Sequence, residues 1–110
     1  MGTSSQGTRR LRRVVEGLEQ VIRERDVERY AVGKAKAMGG EIRKVKWIAR
    51  RGAPDRALFF GGTHWIEFKA PDEEPRPEQV REHKRMAKQG APVHVLDTFE
   101  KVDEFFGTLQ

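Results

Sequence analysis

Gly52-Ala53-Pro54-Asp55, followed by Arg56-Ala57-Leu58-Phe59-Phe60, Gly61-Gly62 and Thr63-His64-Trp65-Ile66-Glu67-Phe68-Lys69, is the stretch that decides the fold of this chain. Arg56–Phe60 and Thr63–Lys69 are short, partly apolar runs joined by a Gly-Gly pair, the pattern of a β-hairpin. Antiparallel pairing returns Glu67 and Lys69 to the neighbourhood of Asp55, which opens the first strand after a Gly/Pro turn. Glu67 and Lys69 are two apart, so on a strand both side chains share one face while Phe68 takes the other. Two acids and one cation are the minimal set for metal-assisted phosphodiester hydrolysis: the acids hold a divalent ion, and the lysine steadies water or phosphate. The same residues also suit a solvated cross-strand ion pair beside an ordinary Pro-Asp turn, and spacing alone leaves both possibilities open.

A chain of 110 residues implies one small domain with a modest core. Its charged content of 35% and net charge of +5 favour a polyanionic partner, most simply DNA or RNA. The lack of cysteine excludes disulfides, Cys-ligated zinc and thiol catalysis. No apolar stretch has the length of a membrane span, and no apolar run follows the early arginines to make a signal peptide, so a cytoplasmic location without membrane contact is expected.

Outward from the hairpin, residues 1–8 are rich in Gly, Ser and Thr and predict a disordered terminus. Leu11, Val14, Val15, Leu18, Val21 and Ile22 recur at three- and four-residue steps, which predicts a helical arm over 9–25. Val27, Tyr30, Ala31, Lys34, Ala35 and Met38 continue as a second stripe that stops at Gly39-Gly40, with a break near Arg23–Asp26. Glu41–Ile48 alternates, with one slip of phase, and predicts a strand. Pro77 opens a helix to about Lys88, with Gly90 as its stop, and Val93–Leu96 is a fourth strand. Asp97-Thr98, with Glu100 in capping-box spacing, starts a last helix that buries Phe99, Val102, Phe105 and Phe106. The fold class is α/β, a mixed four-stranded sheet flanked by helices in the order α-β-β-β-α-β-α, the first three strands a meander and the fourth returned by a helical crossover.

Glu28, Tyr30-Ala31-Val32, Gly39-Gly40, Arg51-Gly52-Ala53-Pro54-Asp55-Arg56, Ile66-Glu67-Phe68-Lys69-Ala70-Pro71 and Gln79 together resemble the virus-type replication–repair nuclease domain, VRR-NUC, of the PD-(D/E)xK nuclease superfamily. The resemblance runs from about Asp26 to Phe106 and implies a nuclease domain over 26–110 with a restriction-endonuclease-like sheet. It implies catalytic roles for Glu28, Asp55, Glu67, Lys69 and Gln79. Asp55, Glu67 and the Phe68 backbone carbonyl would hold the metal, with Glu28 reaching it directly or through water, and Gln79 would orient Lys69, water or phosphate. An all-oxygen donor set suits Mg²⁺, with Mn²⁺ able to substitute. Arg50, Arg51 and Arg56 flank Asp55 and are the candidates for DNA-backbone contacts.

Within that resemblance the chain looks like the small stand-alone members of phages and bacteria, which places it in a bacterial or phage-infected cytoplasm. A homodimer with two sites on a symmetric basic face suits paired incisions, so a metal-dependent, structure-selective DNA endonuclease acting on four-way (Holliday) junctions in recombination and repair is the leading expectation. The rivals are a flap or nonspecific endonuclease acting as a monomer, and a non-catalytic DNA-binding module on the same fold. The histidines carry little in this reading: His94 lies in an apolar strand, His83 on a charged helix and His64 near the hairpin turn. Trp47 and Trp65 read as packing residues.

Overall fold

The computed structural model describes the backbone of residues 12–15 and 18–110 and the side chains from Val21 onward. The expectation of a disordered terminus over 1–8 lies outside the described residues. The expected helical arm is corrected: β1 (Arg12–Val15) and β2 (Leu18–Val21) are antiparallel strands in register Arg12↔Val21 and Val15↔Leu18. The valines that satisfied a helical period are β-branched and favour extended backbone, and Gly17 weighs against a continuous helix by about 1 kcal/mol. The expected boundary at residue 26 falls inside the first turn of α1 (Glu24–Ala37).

At the start of α1 the Asp26 carboxylate accepts a hydrogen bond from the Arg23 backbone N–H at 2.8 Å. The helix buries Val27, Ala31 and Ala35, one stripe at four-residue steps. It closes through Gly39 N–H to the Lys36 carbonyl and Gly40 N–H to the Ala35 carbonyl, the pairing that the expected Gly-Gly stop allows.

The sheet follows as β3 (Glu41–Lys44), β4 (Arg56–Phe59), β5 (Thr63–Phe68) and β6 (Val93–Leu96), in spatial order β3-β4-β5-β6. The first two pairings are antiparallel and the last is parallel, the predicted meander plus crossover. β3 is shorter than Glu41–Ile48 because the chain leaves the sheet once Val45 N–H has bonded the Asp55 carbonyl. Trp47 instead donates its indole N–H to the Pro54 carbonyl at 2.6 Å and packs on Trp65, with ring centroids 5.3 Å apart. The packing role expected of both tryptophans thus has a target, the residue before Asp55.

α2 (Pro77–Lys88) forms the crossover and α3 (Phe99–Gly107) ends the chain. Thr98 alone caps α3, its hydroxyl accepting from Lys101 N–H, while Asp97 pairs with the Lys101 ammonium rather than sharing in a box with Glu100. One face of the sheet presents Leu58, Ile66, Phe68 and Leu96 to Val27, Ala31 and Ala35 of α1 and to Val102, Phe105 and Phe106 of α3. His94 sits there too, its ring 4.5 Å from that of Phe105. By strand alternation Glu67 faces away from this core, toward α2. Glu67 and Phe68 therefore take opposite sides of β5, as their spacing predicts.

Candidate active site

Three elements bring polar side chains to one end of the sheet. The end of β5 contributes Glu67, and Lys69 follows it, its N–H bonded to the Leu96 carbonyl at 3.1 Å so that the parallel ladder continues past the strand. The start of β4 contributes Asp55 and Arg56. From α2, Gln79 and His83 lie one turn apart on the face turned to Glu67.

Glu67 is 7% exposed, and Lys69 and Gln79 are equally buried. Glu67 Oε2 accepts from Gln79 Nε2 at 3.2 Å, while Gln79 Oε1 accepts from the Arg76 backbone N–H at 2.8 Å. The amide is thereby fixed in orientation. Glu67 Oε1 is buried without a hydrogen-bond partner, and so is His83 Nε2, 3.9 Å from it. A buried, unpaired carboxylate oxygen is costly unless something completes it. Asp55 is different: its side chain is 59% exposed and pairs with the Arg56 guanidinium at 3.2 Å.

The charges explain the proton affinities. Burial first, then repulsion from Asp55, pushes the Glu67 carboxyl up to about 7, with Lys69 pulling the other way. Glu24, at the start of α1, is also raised, by desolvation and then by Glu73, with Asp55 and Glu28 adding to it and Lys69 opposing. Burial lowers His83. An acidic cluster held above its ordinary range beside one buried lysine is an environment short of positive charge. A hard divalent cation fits it: the orphaned Glu67 Oε1 and the exposed Asp55 carboxylate, which Arg56 meets at one oxygen, are both oxygen donors. Among the described residues no group of three His, Cys, Asp or Glu side chains converges on one ion position.

Of the expected site residues, Asp55, Glu67, Lys69 and Gln79 come together. Glu28 is placed differently. Arg56 grips it with Nε–Oε2 at 2.7 Å and Nη2–Oε1 at 3.0 Å, a fork-to-fork pair. Arg56 also donates to the Asp55 carbonyl, and its side chain is only 11% exposed. The guanidinium is therefore committed inside the protein rather than offered to DNA, in contrast to Arg50 and Arg51, which are at the surface. Two residues escaped sequence reasoning. Glu24 is one turn before Glu28 on the same helix face, and that four-residue spacing was the available signal. His83 bears the same relation to Gln79. A groove of about 610 Å³ lies elsewhere, between α1 and α3, and holds none of these residues.

No model of a known protein family matches the chain. The chain is 42% identical over 81 residues to the "Putative nuclease p44" of Acyrthosiphon pisum secondary endosymbiont phage 1, a match covering 72% of this chain and 87% of that protein. A solved structure of a VRR_NUC domain superposes with a TM-score of 0.71 at 36% sequence identity, covering 79% of this chain and 97% of the other. Motif, topology and these likenesses agree, and the chain belongs to the VRR-NUC nuclease family.

Proposed function

We propose that this VRR-NUC nuclease hydrolyses DNA phosphodiester bonds with the help of Mg²⁺, selects branched DNA, and cuts four-way junctions in pairs as a homodimer in the cytoplasm of its host cell. The observation that carries the catalytic part is the buried, unpartnered Glu67 Oε1 beside Asp55 and Lys69. Binding alone would not require such a carboxylate, which weighs against a non-catalytic module. The paired-cut reading rests on charge and symmetry: a net charge of +5 suits a polyanionic branch, and two-fold association would present two sites to it. Among the described residues no helix is long and apolar enough to cross a membrane.

Asp55, Glu67 and the Phe68 carbonyl would hold the ion, with Glu28 and Glu24 behind them on α1. When bound, the ion supplies positive charge at the scissile phosphate and makes water a better nucleophile near neutral pH. Lys69 Nζ donates a hydrogen bond to the attacking water or to a phosphate oxygen, so that one lone pair of the water is aimed in line with the P–O3′ bond. Water oxygen bonds to phosphorus, the P–O3′ bond breaks, and a proton passes to the departing 3′ oxygen. The products are 5′-phosphate and 3′-hydroxyl ends. Gln79 keeps Glu67 Oε2 in place, leaving Oε1 free for the ion. Arg56 is a positioning residue, because it holds Glu28 and the Asp55 backbone together.

The test is cleavage of labelled four-way junction, flap and linear duplex in Mg²⁺, Mn²⁺ or EDTA, beside Asp55→Ala, with the mass in solution measured by sedimentation. Paired symmetric cuts in the junction by a dimer, lost in EDTA and in Asp55→Ala, are expected. Cutting of flaps or plain duplex by a monomer would replace junction selectivity with the flap or nonspecific reading. Binding without cutting under every metal condition would leave a DNA-binding module.

Arg56→Ala gives a graded check on the same site. Cleavage should fall by about 10- to 100-fold, the usual effect of removing a partner behind a metal ligand. Arg56→Lys should not restore it, because an ammonium cannot hold both Glu28 oxygens as a planar fork does. Cleavage rates at parental level in either variant would remove Arg56 from the site.

A further inference from the structure

Away from the carboxylates, the loop before Gly52 meets the exposed side of α2 in a cavity of about 280 Å³ lined by Ala49, Arg50, Arg51, Glu78, Arg81 and Arg85. Four guanidinium groups around so small a space repel one another unless something holds them. Glu82 does so. It is 2% exposed, and its carboxylate accepts from Arg50 Nε at 3.0 Å on one oxygen and from Arg85 Nε and Nη2 at 3.0 and 2.8 Å on the other. Hydrogen bonding to both arginines lowers its proton affinity against the desolvation that opposes it. Arg51 is 87% exposed and stands 3.8 Å from Glu78, too far for a hydrogen bond, so its donors remain available. Each guanidinium has five N–H donors, and Glu82 occupies only part of those on Arg50 and Arg85.

We infer that Arg50, Arg51, Arg81 and Arg85 form a phosphate cradle for nucleic acid, and that buried Glu82 is the residue that positions it. The ligand is a phosphate oxyanion flanking the bond to be cut, which rests on the nuclease reading above. The cradle is tied to the active site through the chain at two points. Loop residues 49–52 lead into Pro54 and Asp55, and α2 carries Gln79 as well as Arg81 and Arg85. A phosphate seated there registers the strand relative to Glu67.

Binding of a fluorescent duplex is measured in EDTA across a salt series, for the parent, Arg81→Ala/Arg85→Ala and Glu82→Gln, on duplexes with and without a 5′-phosphate. The double variant should bind about tenfold more weakly near 0.1 M salt, with the slope of log affinity against log salt reduced by about 1, one phosphate contact being worth roughly 0.9. Glu82→Gln separates positioning from net charge. Removing a negative charge should by itself tighten DNA binding, whereas release of Arg50 and Arg85 should weaken it and reduce the slope. A variant that was merely partly unfolded would lose signal equally at every salt concentration and keep the parental slope. Equal losses on both duplexes place a backbone diester in the cradle, and a loss confined to the phosphorylated duplex places a terminal monoester. Parental slope and affinity in the double variant, or tighter binding by Glu82→Gln, would overturn the proposal. A parent that binds with the expected slope but never cuts would sink the nuclease mechanism and leave the cradle standing.

Discussion

Glu67→Gln should abolish cleavage and at the same time make the metal-free protein more stable at pH 8. The carboxyl is 7% exposed, and its folded-state proton affinity is raised to about 7 from an ordinary 4.5, chiefly by burial and then by Asp55. The folded protein therefore holds a proton that the unfolded chain has lost, over the window from about pH 4.5 to 7. Stability falls as pH rises through that window, and above it the whole penalty of an ionised, buried Glu67 is present. At 1.36 kcal/mol per unit the upper bound is about 3 kcal/mol, and relaxation of the site brings the expected gain to about 1–3 kcal/mol. For a domain of this size that is roughly 4–8 °C of Tm per kcal/mol. Glutamine keeps an acceptor for the Gln79 amide and removes only the charge. The measurement is thermal melting in EDTA at pH 5 and pH 8. The parent should lose stability between them and the variant should not, so that the two converge at pH 5. Mg²⁺ should then restore the parent at pH 8, by binding the folded state alone, and leave Glu67→Gln unmoved. Lys69→Met is the complementary change: it removes the cation that opposes the rise at Glu67, and cleavage should drop by about 10²- to 10⁴-fold. A Glu67→Gln protein that melts lower than the parent at pH 8 would mean that the carboxylate is satisfied in the folded state and is no open ligand.

The strands and the placing of Glu67 against Phe68 were legible because a period of two assigns faces without any tertiary knowledge. The N-terminal segment was not, because Val14, Val15, Leu18 and Val21 satisfy helical steps and a short hairpin equally well. Gly17 and the β-branched valines were the evidence for extended backbone. Glu24 and Glu28 share one helix face. Which of them is captured by a strand arginine depends on where Arg56 emerges beneath α1, and that is a fact of packing. His83 and Glu82 were missed for a further reason. The buried side of α2 is polar, Gln79 and Glu82 being its buried residues, and hydropathy has no means of marking a polar face as inward. Arg50 and Arg56 both flank Asp55 in the sequence, yet one reaches across to α2 and the other turns under α1. Arg50 lies in the turn before Gly52 while Arg56 opens β4, and the basic stretch looks uniform only before the chain is folded.

Gly52→Ala should damage both stability and cleavage more than any other glycine change in the described chain. Gly52 has φ +80°, and a Cβ there would lie 2.4 Å from the Glu78 carbonyl oxygen, 2.7 Å from its carbon and 3.0 Å from Gln79 N. All three atoms are backbone of the first turn of α2, so no rotamer change relieves the contact. The left-handed conformation adds about 1–2 kcal/mol and the overlap about 1–3 kcal/mol, giving an expected loss of roughly 2–5 kcal/mol. The strain can be released only by parting the loop from the helix. That parting moves Pro54 and Asp55 away from Gln79 and Glu67, and a displacement near 1 Å at such a site is worth about 10²-fold in rate. Gly61→Ala supplies the internal control. Its φ of +64° imposes the same kind of backbone penalty, but nothing lies within 4 Å of the added carbon. Gly61→Ala should therefore lose only about 1–2 kcal/mol and cleave DNA at parental rates below its melting range. The comparison isolates the close approach from the torsion. Matching melts and matching rates for the two variants would show that contact between the Gly52 loop and α2 does not hold Asp55 in place, whereas a large deficit confined to Gly52→Ala makes this backbone-to-backbone contact the part of the fold that sets the two carboxylates in register.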